Sequence, residues 1–457
     1  MVGIHTVVRP RRRTALVVTA LGAATALLAL AGCSTGGSSA NGSYGFPEAK
    51  QDTSSTITVW VDADRQAAAK AFEKAHPDTK IKVVTYDGSA NGSNSFRTKI
   101  QLFDRAGSGW PDVVFSSQNN DASWASQKSN GKQAFAAVLD KGLVPKDTLS
   151  NFTPGALNPC TVSGQVYCLR NDLAQAVLWY NKSLMDQFGY TVPTTWEEYQ
   201  ALGEKVAKEH PGYLVGDAGD SFTPEIYLWA SKCGANHITG PKSVSVNTSS
   251  EACTKMAKLM DVLIKNKSMS ISGVFSTDFG KNEADKVLLM PGPAWYGGAV
   301  FKDTLKVPAQ QIGVAPIPQW KGQTAPTTGN VGGGTWLLSA HSTNIKAATD
   351  FLTWVTTSDD YQAKLAPGYP AYASAARNWL AKQASSGYFA NDIAAPLEAA
   401  ANQVWPGWGY GQFSQEAIWA ATVKPGLTQG KSIESMLPAW QDSIVKYAKS
   451  NGYKVSQ

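Results

Sequence analysis

The sequence predicts an α/β protein built as two lobes. Strand-like and helix-like stretches alternate along nearly the whole chain, which is the pattern of sheets flanked by helices. The 457-residue length exceeds what one compact core sustains, so two lobes are expected. The first unit, residues 56–86, reads strand, turn, helix, strand. Polar residues follow its first strand, at the end where open α/β sheets bind ligands.

Residues 1–32 read as an export signal and are set apart from the fold. Arg9, Arg11, Arg12 and Arg13 form its basic start; residues 14–31 are apolar and alanine-rich, too short and weak for a membrane span. The arginine run permits twin-arginine export. Those four arginines account for four of the six net positive charges, leaving +2 and no electrostatic case for a nucleic-acid partner. Residues 33–55 are rich in Gly and Ser and are expected to form a flexible tether.

Residues 56–61 (TITVWV) read as a strand, and Asp62-Ala63-Asp64-Arg65 as the turn after it. Ala68, Phe72 and Ala75 mark one face of the next helix. Residues 80–86 and 111–116 are further strands, and Gln118, Asn119 and Asn120 follow the second of these as Asp64 and Arg65 follow the first. Residues 165–170 lead into a strand at 176–180. Thr195 and Glu198 form a capping box for a helix carrying Trp196, Tyr199, Leu202 and Val206. Residues 224–229 are aromatic-rich, with Tyr227 and Trp229. Cys253, Met256, Met260 and Leu263 mark a helical face, and residues 287–290 run as a strand into Pro291–Tyr296 with Trp295.

Residues 312–317 are another strand. The stretch GNVGGGTWLLSAHSTNIKAATDFLTWVT then combines two kinds of chemistry. Gly332, Gly333 and Gly334 have no Cβ, so the backbone there can turn sharply, take positive φ, or admit a close neighbour. From Ile345 the apolar spacing is helical, with Ser342 or Thr343 as its cap. Residues 404–413 (VWPGWGYGQF) form an irregular aromatic loop. The last helix places Ile433, Leu437, Trp440, Ile444 and Tyr447 on one face.

Fifteen Trp and sixteen Tyr include core filler, and such a surplus also suits a surface that stacks on planar or sugar-like ligands. Cys160, Cys168, Cys233 and Cys253 are an even set in an exported chain and imply two disulfides. Of the three pairings, Cys160–Cys168 with Cys233–Cys253 is preferred because each closes a local loop. No cysteine–histidine spacing supports a metal site, and no cofactor is expected.

The pieces TVWVDADR with AFEKAHPDTKIKV, WPDVVFSS, AVLWYNKSLM with TVPTTWEEYQAL, VLIKNK, MPGPAWY, IGVAPIPQWKG and GNVGGGTWLLSAHSTNIKAATDFLTWV occur in this order across nearly the whole mature chain. Together they resemble the extracellular solute-binding proteins of ABC importers, the maltose-binding-protein-like, sugar-binding family 1. Leu30-Ala31-Gly32-Cys33 resembles the lipobox of bacterial lipoproteins, implying cleavage before Cys33 and lipid on its sulfur.

The resemblance implies a periplasmic-binding-protein-like fold: two α/β lobes, a ligand cleft between them, and three hinge crossings near 170–172, 331–335 and 379–386. Gly332, Gly333 and Gly334 are then a hinge. Lobe one holds 56–171 and 336–380; lobe two holds 172–335 and 385–457. Asp64 and Arg65 match an Asp-Lys pair that bonds sugar hydroxyls, since carboxylate and guanidinium each engage two hydroxyls; a solvated ion pair or helix cap is the bland alternative. Asn119 and Asn120 align with a charged pair. Trp295 aligns with a stacking tryptophan, against the alternative of a core residue. Trp408 and Tyr410 lie in the loop of a second stacking ring, and Trp229, Tyr227 and Trp124 are further candidates.

The expectation is a monomeric binding protein without catalysis. It is lipid-anchored on the outer face of the bacterial membrane, and it captures a sugar, an oligosaccharide by preference, for ABC permease subunits. The alternatives are a binder or sensor of a non-sugar solute, and a secreted carbohydrate-active enzyme. Against the last, no GxSxG, HExxH or P-loop occurs, and His76, His210, His237 and His341 sit in no recognisable catalytic setting.

Overall fold

A computed structural model of the chain describes residues 42–87, 92–128 and 133–457. The export signal, Cys33 and the first part of the tether lie outside the described residues.

One lobe is built on a five-stranded sheet. Its order is Ile81–Thr85, Ile57–Val61, Val113–Ser116, Thr335–Leu338 and Cys168–Arg170. The first three strands are parallel, and Thr335–Leu338 runs antiparallel to both of its neighbours. VVFS and TWLL are buried at every position because helices cover both faces. The period-two pleat divides them between two cores. Phe115 and Trp336 meet Phe72 and Phe351 of the helices Gln66–Ala75 and Ile345–Thr357. Val114 and Leu337 point the other way, to Phe96 and Ile100 of Gly92–Ala106.

The second lobe is built on an antiparallel sheet in the order Leu289–Pro293, Ala176–Asn181, Ile312–Ala315. Its helices Trp196–Glu209, Thr223–Ala230, Glu251–Lys265 and Ile433–Ser450 bury Trp196, Trp229, Met256 and Trp440. The Thr195–Glu198 capping box is formed. The chain passes between the two sheets three times: between Arg170 and Ala176, between Ala315 and Thr335, and after the helix Ala373–Ser385, where Phe389 bridges to Ile312. The fold is thus the two-lobe binding-protein arrangement with three crossings.

The cysteines pair as Cys160–Cys168 and Cys233–Cys253. The first staples the short turn of Thr161–Val162 and Gln165–Val166; the second ties the end of Thr223–Ala230 to Glu251–Lys265.

Several local expectations are corrected. Asn344, rather than Ser342 or Thr343, caps Ile345–Thr357 by accepting from Ala347 N–H; Ser342 is engaged instead with Asp112, donating over 2.6 Å. Ala75 and Tyr447 are exposed at their helix ends, and Ala69 takes the buried place beside Ala68 and Phe72. The described part of the tether is held on the first lobe. Asp52 N–H donates to Thr343 O (2.6 Å), Gln51 Nε2 to Ser342 O (3.0 Å), and Phe46 is buried. Glycine and serine content signals freedom only where no neighbour offers backbone partners, and the start of the Ile345–Thr357 helix offers several.

Candidate functional site

The parallel strands Ile57–Val61 and Val113–Ser116 end at the same edge, so the turns after them bring Asp64, Arg65, Gln118, Asn119 and Asn120 together. Facing that edge across the hinge are Phe222, Phe275 and Trp295 of the second lobe. Asp64, Arg65 and Gln118, with Phe222, Phe275 and Trp295, line a cleft of about 310 Å³ whose floor is Val331–Gly334.

Trp295 presents a half-buried ring. Its Nε1–H donates to Val331 O over 3.0 Å, fixing it to the hinge strand. Phe275 lies near-parallel to it, centroids 6.1 Å apart at 18°, while Phe222 meets it edge-on at 6.0 Å. Phe275 is 53% exposed, so it extends the aromatic platform toward solvent. A flat apolar face beside fixed polar groups suits a ligand with C–H faces and hydroxyl edges.

Arg65 is fixed mainly by Asp62: its backbone N–H donates to Asp62 Oδ1 (2.9 Å) and its Nη1 to Oδ2 (3.2 Å). Its guanidinium also lies over the Phe115 ring at 4.5 Å. Asp64, 3.5 Å from Arg65 Nη1, is the exposed member, with its carboxylate open to the cleft mouth. Burial holds the Asp62 carboxyl above the usual carboxylate range, against the pull of Arg65. Asp62 is thus the orienting acid, a role hidden in the run DAD because only the fold distinguishes its two carboxylates.

The three hinge glycines serve three geometries. Gly332 and Gly333 take φ of 68° and 80°. Gly334 does not need positive φ; a Cβ there would stand 2.3 Å from the Phe115 ring. Arg170 braces the strand, donating from Nη2 to Gly332 O (2.6 Å) and from Nε to Asp172 O (2.8 Å).

Beyond the Trp295 cleft the lobes meet in a tight seam. Ser123 Oγ donates to Tyr410 O (2.5 Å) and Arg97 Nη1 to Gln412 O (3.0 Å). Asn119 and Asn120 are buried in this seam, with Asn119 Nδ2 3.5 Å from Gly332 O. Glu225 and Glu416 line it from the second lobe.

Two sequence expectations, Tyr227 and Trp124, are corrected, and two more, Trp229 and Trp408, keep at most one free face each. Tyr227 is fully buried, its ring packed on Trp196 and its hydroxyl group close to Gly216, so it faces the lobe core and not the cleft. Trp229 and Trp408 are stacked on one another at 5.2 Å and 8°, so each covers a face the other would have offered. Trp229 Nε1 is engaged by Trp405 O (2.7 Å). Trp124 packs edge-on to Phe96 at 5.7 Å, because its short helix Asp121–Ala125 turns it toward Gly92–Ala106. Tyr410 does reach the seam.

Glu225 and Glu416 escaped the sequence reading. The signal was present for Glu225, a lone acid in an otherwise apolar helix, TPEIYLWA. Burial raises both carboxyls, and Glu416 also repels the charge on Glu225; Glu416 is pushed up to about 7. Gln118 bonds to Glu416 and pulls the other way. Acids raised above their unfolded values bind protons in the folded state. Their stabilisation is complete below the ordinary Glu range and is lost as pH rises through the folded value. The unfolding free energy is therefore expected to fall between about pH 5 and 8, by up to about 1.4 kcal/mol per pH unit for each linked proton, and thermal midpoints to fall with it. Glu416→Gln should flatten the profile; an unchanged slope in that variant would contradict this assignment.

Three comparisons bear on this geometry. A family model described as "Bacterial extracellular solute-binding protein" matches residues 58–362. The lactose-binding protein of Rhizobium radiobacter is 25% identical over 411 residues, covering 84% of this chain and 91% of that one. The arabinooligosaccharide-binding protein of Halalkalibacterium halodurans is 22% identical over 311 residues, 65% of each. Among solved structures, the ABC transporter associated binding protein of B. animalis subsp. lactis in complex with β-1,6-galactobiose superposes with a TM-score of 0.71. It is 21% identical over 88% of this chain and 99% of its own. The galacto-N-biose-/lacto-N-biose I-binding protein of Bifidobacterium longum gives 0.69 and 19%, over 89% and 100%.

Proposed function

Since the chain belongs to the bacterial extracellular solute-binding protein family, we propose that it captures an oligosaccharide between its lobes and hands it to an ABC importer. The observation that carries this reading is the cleft at the hinge, where the Trp295–Phe275 platform faces Asp64 and Arg65. Sugar names on the relatives support the ligand class. Two or more sugar units fit a platform of several rings better than one. The lobes are assigned as 56–171 with 336–380 and 172–335 with 385–457. Asp64, Arg65, Asn119, Asn120 and Tyr410 are assigned to hydroxyl groups, and Trp295 to a sugar face. The protein acts as a monomer and as a binder, without turnover.

A thermal-shift screen over neutral and charged oligosaccharides, amino acids and peptides tests the reading. A ligand that binds only the folded state raises stability by RT ln(1 + [L]/Kd). A rise with saccharides alone, and no product after prolonged incubation, is the expected result. A response confined to amino acids or peptides would overturn the sugar assignment, and a released product would overturn the non-catalytic one.

Attachment is proposed through lipid on Cys33, motivated by Leu30-Ala31-Gly32-Cys33. Among the described residues no helix is long and apolar enough to cross a membrane. Cys33→Ser is expected to move the protein from the membrane fraction to the medium. Retention equal to that of the native chain would refute the anchor.

A further inference from the structure

A second chamber of about 390 Å³ opens beside the hinge and shares no lining residue with the Trp295 cleft. The seam touches both: Gln118 and Glu416 border the first, Trp229, Trp408 and Tyr410 the second. The two chambers differ in charge. The Trp295 cleft carries Asp64, Asp172 and Glu416 against Arg65. The second chamber is lined by no Asp, Glu, Lys or His, and Arg170 is its only permanently charged side chain.

Arg170 is buried, and its held contacts are all to backbone carbonyls, Asp172 O and Gly332 O. Its Nη1 has no hydrogen-bond partner, and among the described residues no carboxylate lies within ion-pair distance. The Asp172 carboxylate is engaged elsewhere, its Oδ1 accepting from Asn171 Nδ2 and Gly334 N–H, both at 2.9 Å. Gln175 supplies a matching acceptor: its Nε2 donates to Leu397 O (2.8 Å), while its buried Oε1 has no partner. Trp405 and Trp408 add aromatic surface to the same wall. Asp172 attracts the Arg170 charge without a direct ion pair, and a buried guanidinium so incompletely compensated is costly, a cost relieved by an anion that enters with the ligand. Planar carboxylate is the group whose geometry a guanidinium fork matches.

We propose that this chamber is a subsite for an acidic sugar unit, with the ligand carboxylate received by Arg170 and a neighbouring hydroxyl by Gln175. The inference rests on the saccharide reading of the cleft and narrows it to oligosaccharides bearing a uronic acid or equivalent carboxylate.

The test is calorimetry on the purified mature chain with matched probes. Oligogalacturonates are compared with galacto-oligosaccharides of equal length, and oligomannuronates with manno-oligosaccharides, each at low and high salt. At least one acidic member is expected to bind tenfold or more tighter than its neutral match. That preference should survive raised salt, because a buried pair is screened far less than a surface one. Arg170→Gln should abolish the preference and Arg170→Lys should retain part of it. Neutral members binding as tightly as acidic ones in the native chain would overturn the subsite and leave the saccharide-binding function standing. Binding of neither class would overturn both.

Discussion

Replacing Trp295 by alanine is expected to weaken saccharide binding by about 1–3 kcal/mol, roughly tenfold to a hundredfold. The ring is half-buried before any ligand arrives, fixed at Nε1 by Val331 O and backed by Phe222 and Phe275. A sugar face laid on it gains contact without the entropy cost of ordering a loose side chain. Truncation removes that contact and leaves a gap that the exposed Phe275 fills poorly. Because the ring lines the cleft and meets the lobe core only at its edge, circular dichroism should be unchanged. Calorimetry against a ligand found by screening measures the loss; native-like affinity in Trp295→Ala would remove this ring from the site. A parallel Asp64→Ala change should cost less, because Asp64 is exposed and water replaces its bonds.

The hinge glycines give the second large effect, and it comes with an internal ranking. Gly333 has φ of 80°, and an added Cβ would stand 2.0 Å from Arg170 Nη2 and 2.7 Å from Asp172 O. Gly333→Ala therefore combines backbone strain of about 1–2 kcal/mol with displacement of the guanidinium that braces Gly332 O, roughly 2–4 kcal/mol in all. Gly332→Ala should cost only the strain, because its nearest atom, Ser117 O, is 3.6 Å away. Denaturant unfolding measures both. Small-angle scattering with saturating ligand should show less closure in Gly333→Ala than in the native chain. Equal stabilities for the two variants would contradict the role given to Arg170 as a brace.

Much of the architecture was legible before any coordinates. A short continuous apolar run located VVFS, because a pleated strand covered on both faces must be apolar throughout. The glycine triplet marked a place of unusual backbone, which the family resemblance made a hinge, and its two positive φ values and close contact with Phe115 suit residues without Cβ. Asp64 and Arg65 were found because a parallel strand aims the residues after it at the cleft edge. Local loop closure favoured the disulfide pairing that forms.

What stayed hidden depends on contacts between segments far apart in the chain. Tryptophan composition cannot separate the half-open ring of Trp295 from the mutually stacked Trp229 and Trp408, which lie far apart in sequence. Nor does any local pattern show that Glu225 and Glu416 share a desolvated seam, that Asp62 rather than Asp64 orients Arg65, or that the chamber around Arg170 lacks acids. By itself the sequence determined most of the elements, because those follow from short-range sterics and apolar periodicity, while the cleft and its three crossings were implied by the family resemblance. Only the tertiary structure decided which aromatic faces stay open and which charges are left without partners. Burial and electrostatic compensation are sums over neighbours that the chain order does not specify.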